Sequence, residues 1–207
     1  MKTEKNIDKL YYERRYLSRG AVHICGVDEV GRGPLAGPVT VAAVILPLSP
    51  EDIIEGVDDS KKLSPKRREA LAELIKKKAT AYVICSLDNE VIDEINILEA
   101  TKRCMKSAIT LLSVKPDAVL IDAVMIDTGI TTEAIIQGDA KSYLIGAASI
   151  IAKVHRDALM KEFAAVYPGY GFESNKGYGS ATHINAIREL GLTPIHRKTF
   201  TKNFTAK

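Results

Sequence analysis

An α/β or α+β fold, one sheet covered by helices with a small helical appendage after it, is what three features of the sequence predict. Apolar runs rich in β-branched residues alternate with amphipathic runs through residues 22–166, the pattern that places helices on a sheet. The first two strand-like runs are joined only by GRGPLAGP, residues 31–38, too short for a crossover helix, so they pair antiparallel. Beyond Pro168-Gly169 the composition turns to Gly, Tyr and Asn, then to a short helix and a basic tail. A single domain spans 1–207, its core at about 22–166 and its appendage at about 167–207.

Taken in order, a charged helical segment precedes residue 20. Strands follow at 23–30, 39–46, 81–87 and 118–123, each bounded by Gly, Pro, Asp or Asn. Ser64 is an N-cap before the favoured first-turn Pro65, opening a helix to Ala79. A second helix runs 97–113 and is stopped by Lys115-Pro116. The longest runs from about Ser142 to Val166, with Gly146, Ala147, Ala148, Ser149 and Ala152 small enough for close packing on a sheet. A last helix covers 182–190.

Composition narrows the function classes. With 46% hydrophobic and 27% charged residues and no repeat, the chain is an ordinary globular protein. Cys25, Cys85 and Cys104 are odd in number and scattered, which points to a reduced, cytoplasmic setting. The charged first twenty residues lack an apolar signal core, and no run is long and apolar enough for a membrane span. Net charge is only +3, but two basic clusters stand out: Lys61, Lys62, Lys66, Arg67, Arg68 and Lys76–Lys78, and the tail with His196, Arg197, Lys198, Lys202 and Lys207. Each is equally well read as a phosphate-binding patch or as a solvated surface.

Four carboxylates are the candidates for chemistry. Asp28 and Glu29 end an apolar strand before GRG; a lone pair of this kind is ordinarily a turn cap and a solvated neighbour. Asp122 interrupts a second apolar strand, where an acid needs a base, a metal or a turn. Asp139, in QGDAKS, could simply cap the long helix. Together, with no cationic residue in those strands, they predict a site for a hard cation, Mg²⁺ or Mn²⁺. The histidines and cysteines lack zinc spacing, and neither a Walker A loop nor a G-x-S-x-G elbow occurs.

The segment GVDEVGRGPLAGPV, residues 26–39, resembles the signature opening of ribonuclease HII. DDSKKLSPKRRE (58–69), INILEAT (95–101), LIDA (120–123), GDAKSYLIGAASIIAKVHRD (138–157) and NKGYGSATH (175–183) follow in the family's order. The resemblance implies a ribonuclease H-like mixed sheet flanked by helices. It assigns Asp28, Glu29, Asp122 and Asp139 as catalytic residues and ligands of Mn²⁺ or Mg²⁺. It gives Gly31, Arg32 and Gly33 the task of touching the ribonucleotide's 2′-hydroxyl and phosphate, which glycines allow by close backbone approach. Tyr178 would stack on the next deoxyribose, and Ser60 and Lys61 would hold phosphate. The implied activity is cleavage of RNA/DNA hybrids, and of duplex DNA on the 5′ side of a single ribonucleotide; nothing in the sequence demands more than a monomer. A contact between the C-terminal tail and a replication clamp is a further expectation. The additional N-terminal domain of ribonuclease HIII would need far more chain. Two rivals remain open from residues alone, a non-catalytic nucleic-acid-binding module and a Mg²⁺-dependent phosphatase of small molecules.

Overall fold

The computed structural model describes residues 8–58 and 60–204; Asp59 and Lys207 of the sequence blocks above fall outside them. After helix α1 (Tyr11–Leu17), strands β1 (Ile24–Val30) and β2 (Val39–Ile45) form a hairpin, and β3 (Ala81–Leu87) lies beyond β2. Strands β4 (Ala118–Asp122) and β5 (Thr131–Ile135) complete a sheet of order β3-β2-β1-β4-β5. The β1–β2 and β2–β3 pairs are antiparallel, and the β1–β4 and β4–β5 pairs are parallel. The antiparallel β1–β2 pair is the one that the short 31–38 connection predicts.

Side-chain caps set the starts of several helices. Ser64 accepts from Arg67 N to cap α2 (Pro65–Lys78). Asp88 and Asn96 cap α3 (Asn89–Ile95) and α4 (Ile97–Thr110), and Asn96 adopts a positive φ of 67° to turn the chain between them. Ser142 caps α6 (Tyr143–Val166), which follows the single turn α5 (Gly138–Lys141). The short α7 (Phe172–Asn175), α8 (Ala181–Leu190) and α9 (Lys198–Thr201) close the chain.

Alternation along the strands splits the core into two layers. Ile24, Ala42, Val44, Ala118 and Leu120 face α6 and α2, whereas Cys25, Val27, Val41, Val119 and Ile121 face α4. Gly26 lets α6 lie directly on the sheet: a Cβ there would stand 2.2 Å from the Leu144 carbonyl carbon. A third apolar cluster joins Leu35, Ala36 and Met160 to Tyr170, Phe172, Ala186 and Ile187, so the C-terminal helices are built around the 31–38 connection. Ala36 even bridges His196 as a short antiparallel pair. The basic tail is thus no surface patch at its start, because His196 and Arg197 are buried. All three cysteines are unpaired thiols, and no described helix is long and apolar enough to cross a membrane.

Candidate active site

Strands β1 and β4 run parallel with Val27 opposite Ile121, and the next residue on each is an acid, Asp28 and Asp122. Alternation turns both toward α6, and the bend from β5 into α5 carries Asp139 to the same end of the sheet. Glu29 starts from the α4 face of β1, but it sits at the strand end, where its charge acts on Asp28 and that of Asp122 acts on it. Asp122 is fixed by accepting from Gly138 N at 2.7 Å. Its neighbour Ala123 (φ 52°) and Gln137 before Gly138 (φ 59°) hold left-handed conformations that non-glycine residues seldom adopt.

Electrostatics distinguishes this cleft from a surface of ordinary acids. Asp28 is 5% exposed, and burial together with Glu29 and Asp122 raises its pKa well above the usual carboxylate range. Ser149 on α6 hydrogen-bonds its carboxylate and works in the opposite sense. Burial also pushes Glu29 up, opposed by Arg32, whose Nη1 is 3.5 Å from Glu29 Oε1. Lys61 Nζ lies 3.4 Å from Asp139 Oδ2. The compensating cations absent from the strands therefore come from the adjoining loops.

All donors here are oxygens, the choice of hard divalent ions. Glu29 Oε2 is buried with no hydrogen-bond partner, an orphaned acceptor that a cation would satisfy. Among the described residues no three acidic, His or Cys side chains stand close enough to form a ready cage. An open set fits ions that complete their shell with water and substrate phosphate. The donor chemistry fits Mg²⁺ or Mn²⁺, and Arg32 and Lys61 would yield the oxygens they now hold.

Beside the carboxylates, the Gly31–Gly33 turn and Tyr178 meet: Gly33 is exposed, and a Cβ on it would lie 3.7 Å from Tyr178 Cε1. Tyr178 is 45% exposed, its ring open to a ligand. Ser60 is brought to the site but turned inward, 3% exposed, with Oγ 2.9 Å from Ser149 Oγ. Lys61, 78% exposed at its side chain, reaches Asp139 with its ammonium. Sequence reasoning gave Ser149 only a packing role, passed over Arg156 and set Arg197 in a basic patch. A signal existed for the first two, since Ser142, Ser149 and Arg156 recur every seven residues on one α6 stripe. None existed for Arg197, whose partners are main-chain atoms of a distant segment.

The model of the ribonuclease HII family matches residues 25–203. The ribonuclease HII of Shouchella clausii is 54% identical over 91% of this chain and 72% of its own. That of Caldicellulosiruptor saccharolyticus is 52% identical over 95% of this chain and 97% of its own. Among solved structures, the ribonuclease H2 of Pyrococcus horikoshii OT3 is similar with a TM-score of 0.75 and 28% identity, covering 88% of this chain and 97% of that one. The ribonuclease HII of Archaeoglobus fulgidus, solved in complex with PCNA, gives 0.74 and 30%, covering 89% and 97%. On the family match and these identities, joined to the fold and its acid-lined cleft, this chain belongs to the ribonuclease HII family of ribonuclease H nucleases.

Proposed function

We propose that this chain hydrolyses the RNA strand of RNA/DNA hybrids and cuts duplex DNA on the 5′ side of a single embedded ribonucleotide, leaving 5′-phosphate and 3′-hydroxyl ends. The observation that carries the reading is the meeting of an acid cleft with the Gly31–Gly33 turn and the exposed face of Tyr178. Two divalent ions, Mn²⁺ or Mg²⁺, would be held by Asp28, Glu29, Asp122 and Asp139 and supply charge that activates water and stabilises the departing 3′ oxygen. Gly138 N and Ser149 fix the angles of Asp122 and Asp28. Arg32 and Lys61, standing on Glu29 and Asp139, neutralise the cleft until phosphate arrives and then take the phosphate as a partner. The turn tests the 2′-hydroxyl through its backbone, and Tyr178 tests the shape of the next sugar without reading a base. Ser60, turned inward, serves phosphate through its position on the loop.

We place the protein in the cytoplasm as a single-domain monomer, with the appendage after residue 166 completing the nucleic-acid side of the cleft. The Archaeoglobus fulgidus relative was solved with PCNA, which supports a clamp contact by the C-terminal tail here as well. The deciding experiment incubates a labelled duplex holding one ribonucleotide with Mn²⁺, with Mg²⁺ and with chelator. Metal-dependent cutting at that position is expected. Binding without cutting under every condition would favour a non-catalytic module, and phosphate release from small esters alone would favour a phosphatase.

A further inference from the structure

Two arginines lie entirely inside the protein, Arg156 on α6 and Arg197 immediately before α9, each 0% exposed. A buried guanidinium is unfavourable unless its charge is matched. Every hydrogen bond found from this pair among the described residues goes to a main-chain carbonyl. Arg197 donates from Nη2 to Gly31 O at 2.6 Å, from Nη1 to Arg32 O at 2.8 Å, and from Nε and Nη2 to Gly37 O at 3.0 and 2.9 Å. Arg156 donates to Pro38 O, Ala36 O and Lys176 O. An apolar side chain would fill the same space with less desolvation, so the arrangement calls for more than stability.

Peptide planarity supplies the reason. In a trans peptide the carbonyl of one residue and the N–H of the next point in opposite directions. With the Gly31 and Arg32 carbonyls drawn inward onto Arg197, the N–H groups of Arg32 and Gly33 face outward, into the cleft beside Tyr178. Gly31 is held at φ +93°, and a Cβ there would stand 2.3 Å from Arg156 Nε, so the second guanidinium buttresses the same turn.

We propose that Arg197, buttressed by Arg156, is a positioning residue for ribose selection: its fork holds the carbonyl edge of residues 31–32 inward and so aims two amides at the 2′ position of the sugar. A 2′-hydroxyl oxygen accepts from those amides, whereas a deoxyribose offers nothing. The inference rests on the reading above that this turn meets the ribonucleotide. Lysine keeps the charge but cannot span three carbonyls with one nitrogen.

The test measures binding in chelator, by fluorescence anisotropy, of a duplex with one ribonucleotide and of the same duplex as DNA alone. The wild type should prefer the former by roughly tenfold or more, the worth of one or two well-made hydrogen bonds. In Arg197→Lys that preference should shrink toward one, with all-DNA affinity and Mn²⁺ affinity of the protein alone within about twofold of the wild type. An Arg197→Lys protein that keeps the wild-type preference overturns the inference alone, and one that loses Mn²⁺ and all-DNA binding as well assigns Arg197 a merely structural role. A wild type without preference overturns the functional reading itself. Should the variant not fold, amide resonances of Arg32 and Gly33 in the wild type decide: they should move more with the ribonucleotide duplex than with DNA, and equal shifts overturn the proposal.

Discussion

Acids packed into one cleft repel each other, and Asp28 carries most of that repulsion, because it is buried and feels Glu29, Asp122 and Asp139 together. Its raised pKa means that, without a cation, the ionised site opposes folding near neutral pH. Asp28→Asn removes that charge but keeps an oxygen for Ser149 and for Glu29 N, which now donates to Asp28 Oδ1 at 2.8 Å. The chelated variant should therefore be more stable by about 1 kcal/mol, melting roughly 2–4 °C higher. Cleavage of the ribonucleotide duplex should fall by about 100-fold or more. Calorimetry in chelator and single-turnover assays in Mn²⁺ check the two halves, and a lower melting point would mark Asp28 as a structural acid. Asp28, Glu29 and Asp122 could be picked out in the sequence because an acid ending an apolar strand is locally anomalous. Arg197 could not: an arginine in a basic tail looks ordinary, and it meets Gly31 across 166 positions.

At the scale of elements, α1 lies ahead of the stretch that the family model matches, yet it is clamped to the site's scaffold. Glu13 is 0% exposed, and its Oε1 accepts from Ser142 Oγ at 2.6 Å and Leu144 N at 3.0 Å, adding a second acceptor to the N-terminus of α6. Burial raises its pKa. Arg15 and Tyr16 of the same helix bond Glu133 on β5, tying α1 to the sheet edge. Glu13→Ala strands two buried donors and should cost about 3 kcal/mol in urea unfolding. Glu13→Gln retains the acceptor and should stay within about 1 kcal/mol of the wild type. Equal losses in both variants would mean that the charge, not the acceptor, matters. The strands and helices with strong periodicity were readable from sequence, down to the Ser64 and Ser142 starts. Strand β5 was not, because TTEAI is a short, half-exposed edge strand whose pairing with β4 is non-local. Helix α3 was hidden because Asp88, which ends a strand by composition, also caps a helix.

Across the whole molecule, the C-terminal helices are fastened to the 31–38 connection through a pair of histidines, and this makes the assembly acid-sensitive in a definite direction. Tyr178 O can only accept, so His183 Nδ1, 2.9 Å away, carries a proton. Thr193 N donates to His196 Nδ1, so that nitrogen is bare, and His196 Nε2–H points at His183 Nε2, 3.1 Å away. A further proton on His183 Nε2 would face His196 Nε2–H, and one on His196 Nδ1 would face Thr193 N–H, with only the Thr193 hydroxyl, 2.8 Å from that nitrogen, able to turn and accept it. His183 is accordingly held below the usual histidine range by burial, and burial with the His183 charge pushes His196 down to about 4. With a folded value below the unfolded 6.5, stability is complete above pH 6.5 and is lost as the pH falls toward 4. For His196 alone the loss at pH 5 is about 2 kcal/mol, or a melting point roughly 4–8 °C lower than at pH 7. His196→Gln, which no longer titrates, should show a shallower decline over the same window even if its melting point at pH 7 is lower. Because His183 Nδ1–H also holds the backbone of Tyr178, acid should loosen that residue with the appendage. Hydrogen exchange of the α8 amides at pH 5 against pH 7, corrected for intrinsic rates, should rise in the wild type more than in His196→Gln. Parallel curves for the two proteins would remove the histidine pair from the account of acid stability.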